Sequence, residues 1–281
     1  MFRAGSGGCV VSDTIGCLDH AFSRPAIRFE NVTKTFGSYT AIRGVSLDVR
    51  EGAFVSVVGP SGCGKSTLLN LAAGLISSSE GSVSVFGERL SGLNRHAAYM
   101  FQQEGLLPWK TVLENVTLGL TFRGVKPQEA EATGREWIHR VGLDDFSSAF
   151  PAQLSGGMRK RAAMAQSWIV DSGILLMDEP FSALDVHTRL RMESILLELW
   201  TAAPRTVLFV THDLEEALAL ADEVVVLSAG PASHVVSRYS IDLPRPRDLI
   251  DIRTEPRFVE LYREIWASLK QEVLKSYART E

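Results

Sequence analysis

A run of apolar and β-branched residues, Ala53–Val58 ("AFVSVV"), passes directly into "GPSGCGKST" at Gly59–Thr67, and then into Leu68, Leu69 and Leu71 at helical spacing. No other stretch constrains the fold as strongly. Glycines at 59, 62 and 64 let backbone N–H groups turn inward and approach phosphate oxygens closely. Lys65 supplies a point charge for the outer phosphates, the helix start adds the positive end of its dipole, and the Ser66 hydroxyl can ligate Mg2+. Pro60, Ser61, Cys63 and Thr67 complete the candidate loop, with Cys63 as a filler position. With average residue usage, a chance match to this pattern in a chain of 281 residues is on the order of one in a hundred. The strand before it and the helix after it lower that further.

A strand–loop–helix unit of this kind needs a sheet around it. "ILLMD" (Ile174–Asp178), "TVLFVT" (Thr206–Thr211) and "EVVVLS" (Glu223–Ser228) are short, β-branched and apolar on both faces. That composition suits a largely parallel sheet covered by helices, with helical stretches at Lys65–Ala73, Val186–Trp200 and Leu214–Ala221 as the crossovers. Residues 103–161 read as helix after helix, an all-helical insertion with Pro127 near one helix start and Pro151 in a loop. Residues 1–25, rich in Gly, Ser and Cys, read as a flexible extension. Residues 231–281 read as a connector containing "DLPRPRD" (Asp242–Asp248) and a final helix. On that helix Phe258, Leu261, Tyr262, Ile265, Trp266, Leu269 and Val273 share one face. Its five basic and five acidic residues balance, which favours packing on protein over a membrane surface.

The remaining composition narrows the options. No apolar run approaches the roughly 18–20 residues that cross a bilayer, and no secretory signal is visible. Cys9, Cys17 and Cys63 are too few for a disulfide framework and fit a reducing compartment. The net charge of −4 argues against a protein whose affinity for polyanions comes from bulk charge, so no nucleic-acid partner is expected. A local phosphate site needs only a few donors and stays open.

Two further motifs carry chemistry. In "ILLMDEP" (Ile174–Pro180) a buried strand ends in Asp178, placed to hold Mg2+, and Glu179 follows as a candidate general base. Asp178 lies 113 residues beyond Lys65. In "LSGGMRKR" (Leu154–Arg161) Ser155, Gly156 and Gly157 stand at a helix start and form a second anion-binding nest; an ordinary Ser N-cap is the plainer reading. One nucleotide already has its phosphates cradled at 59–67, so a second nest suggests a site shared with another copy of the chain.

Taken together, these motifs resemble the ATPase subunit of an ATP-binding cassette (ABC) transporter, over roughly Ile27–Gly230. "MFQQEGLLPW" (Met100–Trp109) is similar to the glutamine loop, with Gln102 in the glutamine position and Gln103 leaving the register open by one. "SALD" (Ser182–Asp185) resembles the loop that reaches a partner's site, "VTHD" (Val210–Asp213) supplies His212 as the switch histidine, and "KTFG" (Lys34–Gly37) puts Phe36 where an aromatic stacks on adenine. Departures are Met158 and Lys160 where Gln is commoner, "MAQSWI" (Met164–Ile169), and Ser172-Gly173 in place of a Pro. None removes a phosphate, Mg2+ or water-positioning group.

The resemblance implies an α/β P-loop NTPase fold (RecA-like core, mostly parallel sheet, N-terminal antiparallel β part, inserted helical subdomain, C-terminal helical tail), with the cassette spanning 26–230. It implies ATP and Mg2+ as cofactors, with Ser66, Gln102 and Asp178 at the metal, Glu179, His212, Lys65 and Gln102 as catalytic groups, and Ser155, Gly156, Gly157 and Asp185 contacting ATP in trans. The implied partners are a second copy in a head-to-tail dimer, separate transmembrane permease subunits and, indirectly, a periplasmic or extracellular binding protein. The chain would then sit peripherally on the cytoplasmic face of the inner membrane. "LLPW", "EPFSALD" and "DLPRPRD" are similar to the nitrate/sulfonate/taurine importer group. A single-cassette exporter, a vitamin-precursor importer or a non-transport ABC ATPase are the alternatives.

Overall fold

The computed structural model describes residues 24–278 apart from 104 and 183. The extension expected over 1–25 lies outside them except at its end, where Pro25 already opens the first strand. The strands are β1 (Pro25–Phe36), β2 (Tyr39–Arg50), β3 (Phe54–Val58), β4 (Glu80–Val85), β5 (Glu88–Arg89), β6 (Ala97–Met100), β7 (Ile174–Asp178), β8 (Thr206–Val210), β9 (Glu223–Leu227) and β10 (Val235–Ser240). The helices are α1 (Lys65–Ala72), α2 (Val112–Val116), α3 (Leu118–Phe122), α4 (Pro127–Arg140), α5 (Gly156–Trp168), α6 (Val186–Ala202), α7 (Leu214–Leu220) and α8 (Pro256–Tyr277).

Two sheets result. The first is antiparallel, in the order β2-β1-β4-β5; the second runs β10-β9-β3-β8-β7-β6, parallel except for β10 at its edge. Every residue of β3, β7 and β8 is buried, as strands covered on both faces must be. Alternate residues feed opposite cores. Phe54, Met177 and Phe209 join Trp168, Trp200 and Leu196 on one side, while Val55, Val57, Leu176 and Leu208 join Leu68 and Leu69 on the other. Each such side chain contributes about 1.5–3 kcal/mol by leaving water, and the parallel strands thereby fix where their C-terminal ends stand.

The helical segment forms its own small core from Val112, Val116, Ile138, Leu143, Leu154 and Ala165. Thr111 and Glu114 close a capping box at the start of α2. Fully buried Asn115 holds the preceding "LLPW" loop, accepting from Leu107 N and donating to the carbonyls of Leu107, Lys110 and Thr111. Trp109 on that loop is left 70% exposed. The boundary expected at 161 falls inside α5, which continues to Trp168 because its C-terminal half packs on the strands.

Beyond Gly230 the structure differs from a simple connector and helix. β10 adds a strand to the main sheet, with alternate residues half-buried. The arginines of "DLPRPRD" then grip the end of α7. Arg245 binds Asp222 and the Leu220 carbonyl, and buried Arg247 donates to the carbonyls of Leu218, Ala219 and Ala221. Cations on a helix C-terminus satisfy its unpaired carbonyls and oppose its dipole. On α8 the apolar face packs along its centre, burying Phe258, Leu261, Ile265 and Leu269, whereas Tyr262 and Val273 are only partly covered and Trp266 at the edge of the face is left exposed. Glu272 is buried with it and accepts from Ala229 N at 2.9 Å. Among the described residues no helix is long and apolar enough to cross a membrane.

Candidate functional site

The loop after β3 is built by its glycines. Gly62 and Gly64 have φ of +74° and +92°, and a Cβ on Gly64 would stand 2.6 Å from Ile42 Cγ2. Gly59 is closely packed too, its notional Cβ 2.8 Å from Cys63 Sγ. Cys63 is buried, and burial pushes its thiol up from its ordinary value. Lys65, only 6% exposed, folds over the loop and donates to Gly59 O (2.9 Å) and Pro60 O (3.1 Å). The β1–β2 turn lies against the same loop, where Tyr39 OH donates to Gly62 O at 3.5 Å. Phe36, paired with Tyr39 across the hairpin, is half-exposed, with Lys34 Nζ 4.9 Å from its ring centre.

The C-terminal ends of β7 and β8 bring the acidic side of the site to this loop. Ser66 Oγ donates to Asp178 Oδ1 at 3.0 Å. Burial raises the Asp178 carboxyl, opposed by the Ser66 hydrogen bond. Glu179 has φ of +42°, a left-handed conformation that a non-glycine residue holds only under constraint. Its backbone N–H is fixed by Val210 O at 2.8 Å. Three side chains converge on its carboxylate: His212 Nδ1 at 3.0 Å, Gln102 Nε2 at 3.4 Å and Lys65 Nζ at 3.9 Å. Of the two candidate glutamines, Gln102 is therefore the one that reaches Glu179.

Two aromatic side chains that sequence reasoning missed support this cluster. Tyr99, at the end of β6, reaches Asn70 Oδ1 (3.2 Å) and Asp178 Oδ2 (3.4 Å), and stacks on Phe101 at 4.2 Å. Tyr39 is the other. β6 has only four residues, so its sequence carries too short a period to read.

Ser155, Gly156, Gly157 and Asp185 are brought together elsewhere. They line a cavity of about 430 Å³ along with Met158, Leu184 and Thr188, whereas Gly59–Gly62 and His212 line another. Ser155 Oγ accepts from Met158 N and Asp185 accepts from Thr188 N, so both also cap their helices. Within one chain the second nest and the phosphate loop are thus separate surfaces.

Behind His212 lies a charged network. Asp213 caps α7 through Glu215 N and Glu216 N, and Arg189 links Asp213 (2.9 Å) to the Leu184 carbonyl (3.3 Å). Glu216 accepts from Thr211 Oγ1 at 2.5 Å, and fully buried Glu193 accepts from Arg253 at 2.9 Å. Burial pushes both carboxyls up to about 7. A carboxyl raised from its unfolded value favours the fold fully only below that value, and this contribution is lost as pH rises toward 7. Glu216→Gln is therefore expected to gain stability relative to the parent, by roughly 3 kcal/mol, as pH rises from 4.5 to 8. Urea midpoints across that range check it; a constant difference would contradict it.

Among the described residues no group of three or more His, Cys, Asp or Glu side chains is placed to hold a metal by itself. The Ser66 hydroxyl and Asp178 carboxylate, side by side at the phosphate loop, are hard oxygen donors of the kind Mg2+ takes when phosphates and water complete its shell.

Comparison with known proteins gives the family. The ABC transporter family model matches residues 42–182. The chain is 44% identical over 254 residues to the uncharacterized ABC transporter ATP-binding protein MJ0412 of Methanocaldococcus jannaschii, covering 89% of this chain and 93% of that one. It is 44% identical over 233 residues to the taurine import ATP-binding protein TauB of Rhizobium johnstonii, covering 82% and 88%. A solved dimer of the ATP-binding cassette MJ0796 in a post-hydrolysis state with ADP and Pi superposes with a TM-score of 0.69 at 31% identity, over 78% of this chain and all of that one. A phosphate loop, a strained acidic residue and a histidine gathered at the ends of parallel strands fit that company, and the chain belongs to the ABC transporter family as an ATP-hydrolysing, ATP-binding subunit.

Proposed function

We propose that two copies of the chain enclose two ATP molecules, each between residues 59–67 of one copy and Ser155–Gly157 of the other, with Asp185 reaching across. A two-fold dimer is self-complementary, so one pairing completes both sites. The reading is supported by the separation of the two surfaces within one chain and by the dimeric state of the MJ0796 cassette.

Gly59, Ser61, Gly62, Cys63, Gly64 and Thr67 cradle the phosphates through backbone N–H groups, Pro60 completes the loop without a donor of its own, Lys65 neutralises charge at the outer phosphates, and exposed Phe36 stacks on adenine. Ser66, Asp178 and Gln102 are the residues that would hold Mg2+, which when bound neutralises charge on the phosphates. Glu179 accepts a proton from the attacking water while His212 and Gln102 orient that carboxylate. The water oxygen bonds to the γ-phosphorus, the bond to the bridging oxygen breaks, and ADP and phosphate leave. The observation that carries this assignment is the convergence of His212, Gln102 and Lys65 on Glu179 in its left-handed backbone.

In this reading closure and reopening of the dimer move the helical segment 103–161 and drive a separate permease on the cytoplasmic face of the membrane. Exposed Trp109 beside the glutamine loop is a contact for that permease. The cargo is a small anion such as nitrate, a sulfonate or taurine, delivered by a binding protein; similarity to TauB supports this class. Affinity purification of the tagged chain from native membranes is expected to bring down a multi-span permease. Quantitative recovery with ribosomes would overturn the transport reading.

A further inference from the structure

Lys160 takes no part in the chemistry above, yet its placement is unusual. It lies on α5, one helical turn after Gly156, and is 2% exposed. A buried ammonium is costly unless it is hydrogen-bonded, so its position is dictated by its partners. Its Nζ donates to the backbone carbonyl of Gln102. The side chain of that same residue donates to Glu179 Oε2 at 3.4 Å. A single residue is thus held from behind by α5 and touches the hydrolytic carboxylate in front.

α5 is also the helix that Ser155 caps and whose first turn carries Gly156 and Gly157. We infer that Lys160 is a positioning residue: it ties the glutamine loop to α5, so that seating the first turn of α5 on a partner's nucleotide sets the Gln102 amide against Glu179 in the same chain. Residue type explains the choice. Lysine spans from a buried helix face to a loop, and a backbone carbonyl as acceptor makes the link independent of the side chain at 102. The charge-assisted hydrogen bond is directional enough to transmit a displacement that a purely apolar contact would absorb. This role rests on the hydrolytic reading of Glu179 and Gln102, which Glu179→Gln tests separately.

The experiment uses the full chain and measures kcat, KM for ATP and thermal unfolding. Lys160→Met keeps the buried stem and removes the ammonium. Expected is a fall in kcat of roughly 10- to 100-fold, the cost of misplacing a group near the reacting atoms, with KM within about twofold. Lys160→Arg, which retains charge and donors, is expected to recover most of kcat. In a Gln102→Ala background, Lys160→Met should cost little more, because there is no amide left to position. Parental kcat in Lys160→Met, equal losses in the Met and Arg variants, or losses that multiply in the double variant would each overturn the role. If Lys160→Met fails to fold, the Arg variant decides: parental unfolding temperature with lowered kcat and no dependence on Gln102 overturns it. Hydrolysis that still requires Glu179 in any of these cases leaves the hydrolytic reading intact.

Discussion

Glu179→Gln is expected to lower kcat for ATP by about a hundredfold to about ten-thousandfold, the range for loss of a general base, while ATP stays bound. The substitution keeps side-chain length and polarity, so the contacts to His212 and Gln102 have partners of similar shape. What it removes is the ability to accept a proton from water. The backbone constraint sharpens the expectation. Glu179 sits at φ of +42°, clamped by Val210 O, and a neighbouring residue cannot swing in to replace it without rebuilding the turn. Chemistry and nucleotide binding should therefore separate: little phosphate is released, yet labelled ATP remains on the protein. Light scattering should report a mass near twice the 30.8 kDa of one chain when ATP is present. A variant that hydrolyses ATP at the parental rate would remove Glu179 from the mechanism.

Lys65→Met is expected to have the complementary signature, a loss of binding as well as turnover. Lys65 is 6% exposed and its ammonium already stands between the loop carbonyls of Gly59 and Pro60 and the Glu179 carboxylate. Methionine fills the same volume without charge. A charge-assisted hydrogen bond to phosphate contributes about 1.5–3 kcal/mol, so ATP affinity should fall roughly 10- to 100-fold. Loss of charge stabilisation in the transition state should lower kcat about 100- to 1000-fold in addition. The fold should survive, because α1 and β3 are held by buried Leu68, Leu69, Val55 and Val57 rather than by the lysine. Titration calorimetry with ATP checks the first number and steady-state hydrolysis the second; affinity within twofold of the parent would contradict the role.

The sequence made legible whatever depends on local spacing. The strand, loop and helix around residues 54–72 need particular residues at fixed offsets, and β7 ended at Asp178 as its apolar run implied. Strands buried on both faces announce themselves by composition, so β8 and β9 ended within a residue of expectation. β10 escaped because its alternate residues are half-exposed, and β6 because four residues hold too little pattern. Tyr99 and Tyr39 reach the site only through sheet register and hairpin geometry, which no short motif encodes. Buried Glu272 and Arg247 escaped for a related reason. Their charges are satisfied by backbone groups distant in sequence, at Ala229 and at the end of α7. The left-handed backbone at Glu179 was equally hidden, since nothing in "DEP" marks a strained residue other than glycine.

If a second copy of the chain completes each hydrolytic site, two variants that are inactive on different surfaces should rescue one another. The direct measurement mixes two inactive variants. Lys65→Met spoils the phosphate loop, and Ser155→Arg spoils the second nest on the other surface. In a mixed dimer the intact loop of the Ser155→Arg chain faces the intact nest of the Lys65→Met chain, giving one sound site. With random pairing half the dimers are mixed and each carries one sound site of two, so hydrolysis should return to roughly a quarter of the parental rate. Each variant alone should stay inactive. A mixture as inactive as its components would contradict the shared site.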